Sequence, residues 1–148
     1  MFNGLVRRGD WVVVCDGKKA LVLENVGDTK VLNLKTREVH EQPDPKTSEQ
    51  GTDKPGRSVN SIDSRRSAME QTDWHNQEEE RFLQRLASRL DVEVNAGNAK
   101  SVIIVAPPRA LGVLRQAYSQ NLRSVLRAEI DKDLVRMPVG EIEKRLAA

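Results

Sequence analysis

Cysteine, histidine and aromatic residues are all scarce in this chain. The single Cys15 rules out an internal disulfide and suits a reducing compartment. The two histidines, His40 and His75, stand at no metal-ligand spacing from a cysteine or a carboxylate. A zinc site is therefore not expected, and no cofactor is implied. Aromatics make up 3% of the residues, which leaves an aliphatic core and argues against aromatic base-stacking platforms. No run approaches the roughly 20 apolar residues that cross a bilayer, so membrane insertion is not expected. The opening Met1–Asp10 also lacks a signal peptide's apolar stretch. The expectation is a cytoplasmic protein. An excess of one charge is missing too: 24 basic and 22 acidic residues leave +2. Such a balance names no partner by itself, and the placement of the charges matters more.

Catalytic signatures are likewise absent. The sequence has no Walker-type phosphate loop and no Gly-x-Ser-x-Gly elbow. Asp53–Ser58 resembles a phosphate loop only loosely, with its residues in the wrong order. Asp16, Glu24 and Asp133 are scattered, whereas a two-metal nuclease needs acids converging on its central strands. No residue is assigned a catalytic role, and an enzyme is not expected.

What the chain does have is one organising stretch, Lys100–Leu114. Val102–Ala106 is an unbroken, mostly β-branched run, the pattern of a strand buried on both faces. Pro107 and Pro108 end it, since proline gives no N–H to a ladder and fits the first turn of a helix. A helix is predicted from Pro108 to about Ser119, with Leu111, Leu114 and Tyr118 facing the core. Open α/β sheets bind ligands at such carboxyl edges. Gly112 inside this helix costs up to about 1 kcal/mol relative to alanine. A close approach by a backbone or ligand would explain it, as would a mild imperfection.

Before this stretch, three strands are predicted over Trp11–Cys15, Lys19–Glu24 and Thr29–Val39, joined at Asp16-Gly17 and Asn25–Asp28. Tight turns make them an antiparallel meander. In the third, Leu32, Leu34 and Thr36 share the face expected to be buried. From about 41 to 72 the pattern dissolves into Pro, Gly, Ser, Thr and Asp, which reads as a long flexible loop. Within it Lys54, Arg57, Arg65 and Arg66 oppose Asp63 alone. A solvated insertion and a basic arm that orders on an anionic partner both fit. A helix is predicted from Asp73 to about Leu90, with Phe82, Leu83, Leu86 and Leu90 as its core stripe and Glu78, Glu79 and Glu80 toward its N-terminal end. Arg81, Arg85 and Arg89 fall four apart, so acidic neighbours or phosphates should offset their repulsion. Asn121–Leu134 is ambiguous, and its periodicity favours helix. Val139–Ala147 reads as a terminal helix with Ile142 and Leu146 inward.

Several of these segments together resemble a known family. They are Trp11–Gly17, Lys54–Ser58, Glu80–Leu83, Val105-Ala-Pro-Pro-Arg-Ala-Leu-Gly-Val-Leu-Arg115 and Glu129–Leu134. They resemble the bacterial proteins required for attachment to host cells, over nearly the whole chain. The resemblance implies an α/β, ribonuclease H-like mixed sheet of about five strands with helices packed on it. It is similar to the middle domain of archaeal and eukaryotic peptide-chain release factors. In that architecture a three-strand meander precedes a helix, and two further strands lie beside the first, which favours strand over helix for Ser124–Ile130. The whole chain, 1–148, would form one such domain. The release factors carry Gly-Gly-Gln in the loop before the long helix. This chain has Gly56-Arg57-Ser58 there and no Gly-Gly-Gln anywhere, which argues against peptide release by that route.

Two functions follow as expectations. One is a non-catalytic factor that binds RNA, the ribosome or tRNA through phosphate contacts at Lys54, Arg57, Arg65, Arg66, Arg109 and Arg115, with Ser58 and Gly112 also in the binding surface. The other is a protein-interaction factor in attachment to cells or surfaces, whose basic loop docks an acidic protein partner.

Overall fold

The computed structural model describes residues 2–42 and 63–148. Strand β1 (Trp11–Cys15) and strand β4 (Val102–Ala106) are buried along their full lengths. They pair in parallel, with Trp11 opposite Val102 and Val14 opposite Val105. Side chains alternate across a strand, so two wholly apolar strands demand cover on both faces. Strand β2 (Lys19–Asn25) lies antiparallel to β1, and β3 (Leu34–Glu41) antiparallel to β2. Strand β5 (Leu126–Asp131) joins β4 in parallel. The five-stranded order is β3-β2-β1-β4-β5, with the two later strands on the β1 side of the meander, β4 beside β1 and β5 beyond it.

Four helices follow in chain order: α1 (Asp63–Asn95), α2 (Pro108–Ala117), α3 (Gln120–Val125) and α4 (Val139–Ala147). On one face Val13, Ile104 and Ala106 meet Phe82, Leu83, Leu86 and Leu90 of α1, Leu111 and Leu114 of α2, and Leu122 of α3. On the other, Val12, Val14, Ile103 and Val105 meet Val6 and the Ile142–Leu146 stripe of α4.

Four sequence expectations change. Helix α1 runs from Asp63 to Asn95, so the predicted start at Asp73 lies inside it and residues 63–72 are helix, not loop. The polar stretch carries no apolar stripe, so periodicity could not report it. Glu78–Glu80 are consequently mid-helix and not near its N-terminal end. Strand β3 begins at Leu34, not Thr29, and only Leu34 of the predicted buried face is buried; Leu32 precedes the strand and Thr36 is exposed. The cause is position: β3 is the outer strand and its register shifts opposite Val22 and Leu23, which breaks the alternation. Asn121–Leu134 divides, with helix α3 ending at Val125 and β5 starting at Leu126. Both signals were real, in succession. Helix α2 ends at Ala117, just short of Ser119. Residues 43–62 of the expected loop lie outside the described residues.

Polar anchors fix the sheet's edges. Asp10, buried, accepts the Arg7 N–H at 2.8 Å and a guanidinium N–H of Arg127. Arg127 also donates to the Leu5 carbonyl at 3.1 Å, tying the start of β5 to the N-terminal segment. Asn25, fully buried, accepts from Gly27 N at 3.1 Å and Asn33 N at 2.9 Å and so shapes the β2–β3 turn. Gly27 belongs there because a Cβ would strike the Val31 carbonyl and lie 2.8 Å from Asn33 N. On the outer strand, Arg89 of α1 donates to both Glu38 oxygens, at 3.1 and 2.6 Å. Glu93 and His40 complete that cluster, at 2.7 Å from Arg89 and 2.8 Å from Glu38. The Arg89 hydrogen bond, chiefly, holds the Glu38 carboxyl below its ordinary value, and His40 adds to this.

Two outcomes follow. Asn25→Ala removes the acceptor of two part-buried N–H groups, those of Gly27 and Asn33, and should cost about 2 kcal/mol. Thermal denaturation should show the melting temperature falling by roughly 4–8 °C for a chain of this size. Because Glu38 is depressed when folded, its contribution is present above the ordinary carboxylate value of 4.5 and is lost as pH falls through the folded value. Glu38→Gln should therefore be less stable than wild type at pH 7, by under ~1 kcal/mol given solvent screening. Urea titrations at pH 7 and pH 3 should show that gap closing on acidification.

Candidate functional site

Parallel strands put their carboxyl ends on one side. Cys15, Ala106 and Asp131 end β1, β4 and β5 there, and β2 starts there at Lys19. The β1–β2 turn is built by Asp16, whose carboxylate accepts from Lys18 N at 2.8 Å and Lys19 N at 2.9 Å. The Gly17 carbonyl in turn accepts from the Gln42 amide at 2.9 Å. Next along the edge, Pro107 and Pro108 turn β4 into α2. Pro107 sits at the N-cap with no side-chain oxygen to give, and the first turn contains no acidic residue. The N–H groups there face outward from a helix start that attracts anions.

These pieces enclose a cleft of about 170 Å³ lined by Asp16, Lys18, Glu79, Glu80, Arg109 and Arg136 among others. Lys18 comes from the turn after β1, Arg109 from the first turn of α2, and Arg136 from the segment after β5. Among the described residues, none of the three is in an ion pair. Glu79 of α1 lies over the Gly17 turn and brings negative charge to the same place. The cleft is therefore mixed in charge, with Lys18, Arg109 and Arg136 set against Glu79 and Glu80 of α1 and Asp16 of the β1–β2 turn.

A second hollow, of about 580 Å³, continues along the seam between α1 and α2. It shares Glu80, Arg109 and Val113 with the first and adds Gln84, Gly112 and Gln116. Gly112 is exposed, and a Cβ there would meet nothing within 4 Å. No backbone approaches it. Its absent side chain leaves the hollow open, while an alanine would suit the helix better by up to about 1 kcal/mol.

The candidate residues fall into separate groups. Arg109 and Gly112 share the trough just described. Arg115 lies in the last turn of α2, where its Nε donates to Glu129 at 2.9 Å. The Tyr118 hydroxyl donates to the same carboxylate at 2.8 Å, and burial, then Glu129, pushes its pKa up. Arg65 and Arg66 lie in the first turns of α1. Lys54, Arg57 and Ser58 lie outside the described residues. Along the flank of α1, Arg81 pairs with Glu78 and Arg89 with Glu38 and Glu93, which offsets the arginine repulsion. Sequence reasoning missed Lys18, Arg136, Gln84 and Gln116. Lys18 was findable, since any residue just past β1 reaches the carboxyl edge. Arg136 was not, because its place depends on β5 running parallel to β4.

The lining side chains offer a ligand charge and hydrogen bonds. Cys15, beside the cleft in sequence, is fully buried, and burial chiefly, with Asp16, pushes its thiol up to about 12. It stays protonated and unreactive at neutral pH. Among the described residues, no three His, Cys, Asp or Glu side chains converge to hold a metal. Nor is any helix among them long and apolar enough to cross a membrane.

Residues 11–146 match the model of a family described as protein required for attachment to host cells. An uncharacterized protein of Rickettsia prowazekii (strain Madrid E) is 37% identical over 54 residues, covering 36% of each chain. Among solved structures, an archaeal translation termination factor is similar at 11% identity and a TM-score of 0.46, over 93% of this chain and 36% of that one. A second structure, titled only as an archaeal protein, is similar at 11% identity and a TM-score of 0.43, over 93% and 35%. The chain spans about a third of the length of each of these three relatives. With nearly all of its sequence matched, the chain belongs to the family of proteins required for attachment to host cells.

Proposed function

We propose that this host-attachment-family protein is a non-catalytic factor that binds RNA, with ribosomal or transfer RNA as the partner. One observation carries the reading: Lys18, Arg109 and Arg136 reach one cleft from three separate elements, and none is in an ion pair among the described residues. Cations that pair with no carboxylate among the described residues suit phosphate oxygens, which need only charge and N–H donors. The uncapped start of α2 supplies those N–H groups. Lys54, Arg57, Arg65 and Arg66 add four more cations in the preceding stretch of sequence. On this reading the protein works in the cytoplasm, and its part in attachment is indirect, through translation or its regulation.

A protein partner without nucleic acid is the second reading. It is favoured by Val39, which is 53% exposed on the outer strand β3. Val39 borders a groove of about 420 Å³ floored by Phe82 and Leu86, where Arg85 is in no ion pair among the described residues.

Co-sedimentation of the purified protein with ribosomes and with bulk tRNA across a salt series separates the two readings. Bound RNA should be released steeply as salt rises, because each neutralised phosphate frees counterions. Arg109→Ala combined with Arg136→Ala should weaken binding and lower the salt slope by about 2. A protein that stays in the supernatant at low salt would rule out RNA and turn the search to the β3 groove.

A further inference from the structure

We infer that the trough between α1 and α2 is a nucleoside subsite, which accepts one base and its ribose from single-stranded RNA while the adjoining cleft holds the phosphate. The inference rests on the RNA reading above and names the part of the ligand that reading leaves out. Three observations meet at this place. First, the two hollows share Glu80, Arg109 and Val113, so a ligand with a charged end and a larger polar body can lie across both. The second hollow, at about 580 Å³, is of the size that takes a drug-sized or nucleoside-sized body.

Second, the walls of the hollow suit a base better than a peptide side chain. Its floor on α2 is Gly112, Val113 and Ala117, small and partly apolar, and its rims carry the amides of Gln84 on α1 and Gln116 on α2. Neither amide has a hydrogen-bond partner among the described residues. Each amide offers both donor and acceptor, the combination that reads a base edge. Glu80 at the junction is an acceptor for a ribose hydroxyl or an exocyclic amine. An aromatic wall is missing, so the base lies against aliphatic surface and backbone, in keeping with the chain's few aromatics.

Third, Gly112 is the one feature of α2 that works against the helix and is not explained by packing. A side chain there would touch nothing. It would instead project into the hollow and occupy the space assigned to the base. The substitution thus separates folding from binding, because it should spare or help the first and block the second.

The test is fluorescence anisotropy with a short labelled single-stranded oligoribonucleotide, run beside heparin, a polyanion with no bases. Gly112→Leu should weaken RNA binding about tenfold. Its heparin affinity should stay at the wild-type value, and its melting temperature should be equal or higher. Arg109→Ala with Arg136→Ala should weaken both ligands. If Gly112→Leu binds RNA as wild type does while the arginine variant loses it, the subsite is overturned and the phosphate cleft stands. Wild-type protein that binds neither RNA nor heparin would overturn both.

Discussion

The parallel pairing of β1 with β4 is the constraint on which the rest depends. Ten residues in these two strands are all buried, so neither face of the central sheet can be left to water. Helices α1, α2 and α3 cover one side and α4 the other. Parallel direction, in turn, sends Cys15 and Ala106 to the same edge, and with them the turns that follow. The trough exists because that edge gathers a β1–β2 turn, a helix start and the segment after β5 within reach of α1. Its cations are thus placed by the same burial that holds the protein together.

Charge is managed differently at the two ends of the sheet. Near the amino ends of β1 and β5, buried Asp10 and half-buried Arg127 are occupied with each other and the neighbouring backbone. The pair fixes how the segments meet, and losing Arg127 would leave the buried Asp10 charge without its partner. On the outer strand, Glu38 shares Arg89 and His40 in a partly exposed cluster. At the carboxyl edge Lys18, Arg109 and Arg136 stay apart from Glu79 and Glu80 although all five line one cleft. The contrast separates structural ion pairs from charges free to meet a ligand.

The central part of the fold was legible in the sequence because burial writes itself into residue type. The Val-rich β1, the Val102–Ala106 run, the Leu spacing of α1 and the Ile142–Leu146 pair of α4 each have a single physical explanation, and the proline pair marks the passage from β4 to α2. The outer elements were less legible. Strand β3 has one neighbour and a shifted register, so its alternation carries little of the core pattern. The first turns of α1 are polar, and helix without an apolar stripe leaves no period to read. Residues 120–131 hold a short helix and a strand in succession, and a window spanning both averages two periods into one. At the site, Arg109 and Gly112 were visible because they follow the proline turn. Gln84 and Gln116 were not, since only the packing of α1 against α2 brings them to one hollow.

The most direct test of the central claim is a backbone amide NMR titration of the labelled full-length protein with single-stranded RNA. The account expects the largest shift changes at Lys18, at Arg109 and Gly112 through Gln116, and at Arg136. The opposite face, represented by Ile142 and Glu143 of α4, should be unaffected. Shift changes centred on α4, or on β3 around Val39 with none along α2, would contradict it and place the binding surface elsewhere.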